Sequence, residues 1–296
     1  MLRRMWIFLP VLLLATSVGA EQDVAVSTKV QGEVLLKRAT ANSFSSGITI
    51  GTGIRDQDNI RTGENGFGVL VFLDDKSQLK IQPETAVEIQ GETAAKTRAI
   101  AKQINMDSGK LKAEISEQRE GEFVVATPTS VAAVKGTIFW IMVDPQEGDR
   151  VIVESGEVEL TNRNSGNTIT VGQNQTGSSD AEGNLDLAVN LKLEGNVREY
   201  TPNTSLTLTN ISVVEGEIPE ETDFQETGPL TVSFNQYSTI DGDQPSAGDQ
   251  VTITGELHSD GDFFAYVVGV MEEVFELEIP FENEEGEEKT LEIRYK

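Results

Sequence analysis

From Val24 onward the chain alternates apolar and polar residues in short runs that end in Gly, Asn, Asp or Ser. That period of two admits little besides β-strands joined by tight turns. Val69, Val71 and Leu73 share one face, as do Leu79 with Ile81 and Val87 with Ile89. The pattern returns at Leu111, Ala113, Ile115; Phe123, Val125; Ile138, Trp140, Met142; Val151, Val153; Val158, Leu160; and Ile169, Val171. Helical periodicity is nearly absent, so the fold class is all-β. One stretch, residues 93–103, is rich in Ala and Lys and reads either as a short helix or as a long hairpin loop leading into a strand at Ile104 and Met106.

Two domains follow an export segment in this reading. Residues 1–20 read as a signal peptide: Arg3 and Arg4 precede an apolar run over residues 5–14, and Val18, Gly19 and Ala20 are the small residues a signal peptidase reads. The run is shorter than the roughly 20 residues a spanning helix needs, so cleavage after Ala20 is expected, leaving a soluble protein that is periplasmic or secreted. The first domain covers residues 24–177 and closes in a stretch dense in Gly, Asn, Ser and Asp. Residues 178–228 read as an extension and acidic linker, and residues 229–296 as a small immunoglobulin-like antiparallel sandwich.

Composition narrows the chemistry. Taking Arg3 and Arg4 from the 23 basic residues leaves 21 against 49 acidic ones, a net charge of −28. Such a field repels phosphate backbones and anionic membrane surfaces, which sets nucleic acid aside as a partner. There is no cysteine, hence no disulfide, thiolate nucleophile or lipid-bearing cysteine. The single histidine, His258, sits in a turn-like segment, and no Gly-x-Ser-x-Gly elbow accompanies it. Nothing marks out a pair of carboxylates for glycoside cleavage. No enzyme is therefore expected, and no cofactor is called for. The one metal reading is calcium on Asp241, Asp243, Asp260 and Asp262, whose Asp-Gly loops are equally ordinary turn formers.

Residues 126–139, Ala-Thr-Pro-Thr-Ser-Val-Ala-Ala-Val-Lys-Gly-Thr-Ile-Phe, resemble the central signature of the FecR-domain family, a Thr-Pro followed by a small apolar stretch and Val-x-Gly-Thr-x-Phe. Asp58-Asn59-Ile60-Arg61-Thr62-Gly63 and Leu73-Asp74-Asp75-Lys76-Ser77-Gln78-Leu79 resemble two further elements, and Ser108 to Leu111, Glu154 to Leu160 and Gly172-Gln173 follow in order. Gln57 and Lys76 depart from the pattern by standing where the family has Gly: a type I turn tolerates them, whereas a turn needing positive φ would be strained there. The resemblance implies a solenoid-like or rolled β domain. Its Thr127-Pro128 and Gly136-Thr137 would be structural. The segment before the hydrophobic run is short, so the sigma-regulating half of the family's role is not implied. What remains is an exported binding or sensing module for an envelope protein or extracellular ligand, with a structural or adhesive surface component as the alternative.

Overall fold

The computed structural model describes residues 22–44, 46–90, 100–117, 122–218, 228–258, 261–271, 275–282 and 288–295, and the predicted signal segment falls outside them. The chain begins with β1 (Asp23–Gln31), β2 (Val34–Lys37), β3 (Ser46–Gly47), β4 (Gly53–Arg55), β5 (Asp58–Thr62), β6 (Phe67–Phe72), β7 (Gln78–Ile81), β8 (Ala86–Gln90) and β9 (Ile100–Glu114). It continues with β10 (Glu122–Ala126), β11 (Ser130–Val134), β12 (Ile138–Asp144), β13 (Gly148–Ser155), β14 (Glu157–Asn162), β15 (Thr168–Gly172), β16 (Gln175–Ser179) and β17 (Leu185–Val189). A second group comprises β18 (Leu191–Thr201), β19 (Ser205–Glu215), β20 (Leu230–Asp241), β21 (Gln250–Leu257) and β22 (Phe263–Val270), and a hairpin follows in β23 (Phe275–Glu282) and β24 (Glu288–Tyr295). The described residues are all-β.

Strands β1 to β17 form one 17-stranded sheet that folds into two layers at β9. One layer runs β4-β1-β6-β7-β9-β12-β13-β16-β17. The other runs β3-β2-β5-β8-β9-β10-β11-β14-β15. The start of β9 belongs to the second layer, where Ile104 pairs with Ile89, while Leu111 and Ala113 pair with β7 and β12 in the first. Gly109 makes the bend. Its φ is +102°, and a Cβ there would lie 2.5 Å from the Cα of Thr85, so both the dihedral and the space require glycine. One core lies between the layers, with Phe72 and Phe123 in edge contact across it at 5.9 Å.

Most of the alternation reads out as expected: Leu79, Ile81, Val87, Ile89, Leu111, Ala113, Phe123, Val125, Val151, Val153, Val158 and Leu160 all point into this core. Three readings need correction. In β6 the core residues are Leu70 and Phe72, and Leu73 is exposed. Residues 100–103, at the end of the stretch read as a short helix or a hairpin loop, are strand, because Lys102, Ile104 and Met106 alternate inward and β10 pairs beside them; residues 91–99 lie outside the described set. In β12 the core takes Phe139, Ile141 and Val143, while Trp140 and Met142 are buried on the opposite face.

The division of the rest also differs from the sequence reading. Residues 191–215 are not an extension: β18 pairs with both β19 and β21 and closes a five-stranded barrel ordered β18-β19-β20-β22-β21. β20 and β22 run parallel, which a purely antiparallel sandwich would not contain. Counted within the barrel the order is 1-2-3-5-4 and back to 1, the connectivity of the Greek-key barrel of OB type. Among the described residues, β23 and β24 pair only with each other.

The motif residues turn out to hold the roll together. Asp58 is fully buried, accepting from Arg38 at 2.6 Å and from the Arg55 amide at 2.8 Å. Asp74 and Asp75 both pair with the buried Lys102. Gln57 and Lys76 adopt φ of 61° and 66°, so the two departures from glycine do occupy left-handed positions, at a cost of about 1 kcal/mol each. The Thr-Pro turn is built around Asp149: its Oδ2 accepts from the hydroxyls of Thr127, of Thr129 at 2.5 Å and of Ser130 at 2.6 Å, while Pro128 stays on the surface. Gly136 lies close to the neighbouring segment, where a Cβ would sit 3.2 Å from the Cα of Glu117.

Burial raises the Asp149 carboxyl above the ordinary range, and the three hydroxyls and Arg150 only partly oppose this. With the folded value above the unfolded one, the folded state keeps the proton longer. The contribution to stability is therefore fullest at acid pH and is lost as pH rises through the folded value. Asp149→Ala strips three buried hydroxyls of their acceptor and should cost about 3 kcal/mol in urea unfolding. Asp149→Asn keeps an acceptor, so it should cost less and flatten the pH dependence. Equal losses from both substitutions would contradict the hydroxyl cage.

Candidate functional site

β12 is apolar along almost its whole length, Ile-Phe-Trp-Ile-Met-Val, and so has two faces to bury. The barrel covers the outer one. Trp140, Met142 and Ile152 from β12 and β13 cluster with Tyr237, Tyr266 and Val267 from β20 and β22. Around this patch, polar groups fix the docking. Lys112 lies 5.3 Å from the Trp140 ring centre and pairs with Glu154 at 3.0 Å and with Asp241 of the barrel at 2.9 Å. The Trp140 indole donates to Glu154 at 2.7 Å. Burial by itself would lower the Lys112 ammonium; the two carboxylates outweigh it and raise the group above its usual range. Arg150 stacks on Tyr237 at 4.6 Å, and the Tyr237 hydroxyl donates to the Gly148 carbonyl.

Beside this junction the two bodies enclose a cleft of about 810 Å³, within the range of small-ligand sites. On the roll side it is lined by the β5–β6 turn (Glu64, Asn65), the β7–β8 turn (Gln82, Pro83, Glu84), the β9 bend and the end of β12. On the barrel side it is lined by Tyr200, by Asn203 of the β18–β19 turn, by residues 234–240 of β20 and by Gln244. Three features stand out chemically. Gln82 is 4% exposed, and its Nε2 has no protein partner. Lys110 spans the cleft to donate to the Ser238 carbonyl. Tyr200 and Phe234 form a tilted aromatic pair at 6.1 Å, only partly buried.

None of these residues stood out in the sequence. They come from turns and strand ends that are far apart in the chain, and only docking brings them together. The double-sided apolar run at β12 was the one available signal that a second body packs there.

The residues singled out earlier fall elsewhere. Asp241 is held by Lys112, Asp243 and Asp262 are exposed, and Asp260 lies outside the described residues. Among the described residues no group of three or more His, Asp or Glu is arranged to hold a metal. His258 is exposed in a turn, its amide donating to the Asp262 carbonyl and its ring 4.9 Å from Phe264.

Fold and cleft together define a tandem β protein in which a two-layered roll and a closed barrel share a polar cavity. Residues 58–159 match the family model described as FecR protein. The match covers the middle of the roll and leaves the barrel outside it. Two crystal structures of a candidate anti-sigma factor from Parabacteroides distasonis are also similar. Each is 16% identical, with a TM-score of 0.38, and the match spans 44% of this chain and 59% of that one. No curated protein matches the chain.

Lys110 gives the site a pH signature. Burial lowers its ammonium to about 8 from 10.5, against a smaller upward pull from Glu84. The folded state thus holds fewer protons than the unfolded chain between these values. Stability should rise with pH across that window and be penalised below it. Lys110→Met should remove this alkaline rise in melting temperature; an unchanged profile would place the lysine in solvent.

Proposed function

We propose that this chain is an exported, non-enzymatic binding and sensing module of the cell envelope, and that its ligand or partner enters the cleft between roll and barrel. The cleft carries the reading. It brings the buried, unpartnered Nε2 of Gln82 together with the partly buried Tyr200–Phe234 pair, whereas Asp58 and the Thr127–Ser130 turn around Asp149 are engaged in holding the roll together. Export rests on Arg3, Arg4, the apolar run and the small residues up to Ala20. The acidic surface favours a neutral or cationic partner. The FecR match supports a regulatory role over a catalytic one. An adhesive role with the barrel as a spacer fits less well, because the barrel packs broadside on β12 and is not held away from the roll.

The test is photo-crosslinking in intact cells, with a benzoylphenylalanine replacing Asn203 at the cleft rim or Glu159 on the exposed side of β14, and an affinity tag after Lys296. The mature chain should start at Glu21, and a discrete envelope adduct should form from position 203 and not from 159. Adducts that are identical from both positions, or missing from 203, would remove the cleft as the binding site.

A further inference from the structure

We infer that the cleft takes a segment of a neutral oligosaccharide. This rests on the cleft being the binding site and adds the chemistry of what it binds. Six carboxamides line it: Asn235, which accepts from the Tyr237 amide, Gln236, which donates to Glu147, and Asn65, Gln82, Asn203 and Gln244. A carboxamide presents a donor and an acceptor side by side, which suits the paired hydroxyls of a sugar ring, each of which is also donor and acceptor. The orphaned Nε2 of Gln82 is a buried donor for which a ligand oxygen would supply the missing partner. The Tyr200 and Phe234 rings, partly buried and tilted 53° to each other, line the same cleft and offer an aromatic face of the kind on which the C–H face of a pyranose packs.

The position in the barrel points the same way. In five-stranded barrels of this connectivity, ligands lie on the face of strands 2 and 3 and beside the turn between strands 1 and 2, and they are oligonucleotides or oligosaccharides. Here strand 3 is β20 and that turn holds Asn203, and both line the cleft. Charge decides between the two ligand classes. Residues 191–270 contain Lys192 and Arg198 against fourteen acidic residues, and the cleft sets Glu64, Glu84 and Asp144 against Lys110. A polyphosphate strand would meet net repulsion, whereas an uncharged polyol meets none. The same balance disfavours acidic glycans.

Calorimetric titration of the chain from Glu21 to Lys296 with neutral tetrasaccharides of β-1,4-glucose, α-1,4-glucose and β-1,4-N-acetylglucosamine tests this. At least one should bind, with affinity falling about tenfold in Asn203→Ala and in Gln244→Ala, both exposed positions, and unchanged in Glu159→Ala. If no sugar binds while the crosslinked adduct from position 203 persists and proves to be a protein, the oligosaccharide assignment is overturned and the cleft survives as a protein-binding site. If neither is seen, both fall. Binding that is indifferent to Asn203 and Gln244 would also overturn the assignment.

Discussion

The architecture depends on β12 being buried on both faces. Its inward residues, Phe139, Ile141 and Val143, complete the core between the two layers, and its outward residues, Trp140 and Met142, form the floor on which the barrel sits. Trp140 cannot be exposed without surrendering a large apolar side chain to water. Lys112 then adds direction, since one ammonium reaches both Glu154 of the roll and Asp241 of the barrel. An apolar patch of this size would tolerate several orientations. The ion pair, the indole donor and the Arg150–Tyr237 stack together select one.

The cleft follows from that choice. Its walls belong to the roll and the barrel, and a strand that bends at Gly109 places Lys110 where it can reach across to Ser238. The FecR signature serves a different purpose. Its buried Asp58 and the hydroxyls caging Asp149 maintain the scaffold, whereas Gln82, with its unpartnered Nε2, lines the cleft where the barrel meets the roll. A scaffold kept by motif residues and a site assembled from irregular turns is a common division in β proteins, where loops carry function on a rigid frame.

Legibility in the sequence followed the same line. Strands with one polar and one apolar face, such as β7, β8 and β14, could be phased from alternation alone, and their inward residues were correctly chosen. Alternation has no phase where both faces are apolar, and so it failed at β6 and β12. The glycines that Gln57 and Lys76 replace marked both turns but left a type I turn open, and the left-handed conformation is the one adopted. The barrel was harder to see, because an acidic stretch after β19 resembles a linker and separates its first two strands from the rest. Apart from Met142, the cleft residues were not picked out by any periodic signal, since pairing across the junction has no trace in local sequence.

The account stands or falls on whether roll and barrel keep one fixed arrangement in solution. The chain lacks cysteine, so spin labels can be placed cleanly at Glu159→Cys on the roll and Glu199→Cys on the barrel, both exposed. Pulsed electron–electron resonance between them should give a single narrow distance distribution, broadened when Trp140→Ala removes the shared side chain. A broad distribution in the otherwise native chain would mean that the two bodies move independently and that the cleft is not a formed site.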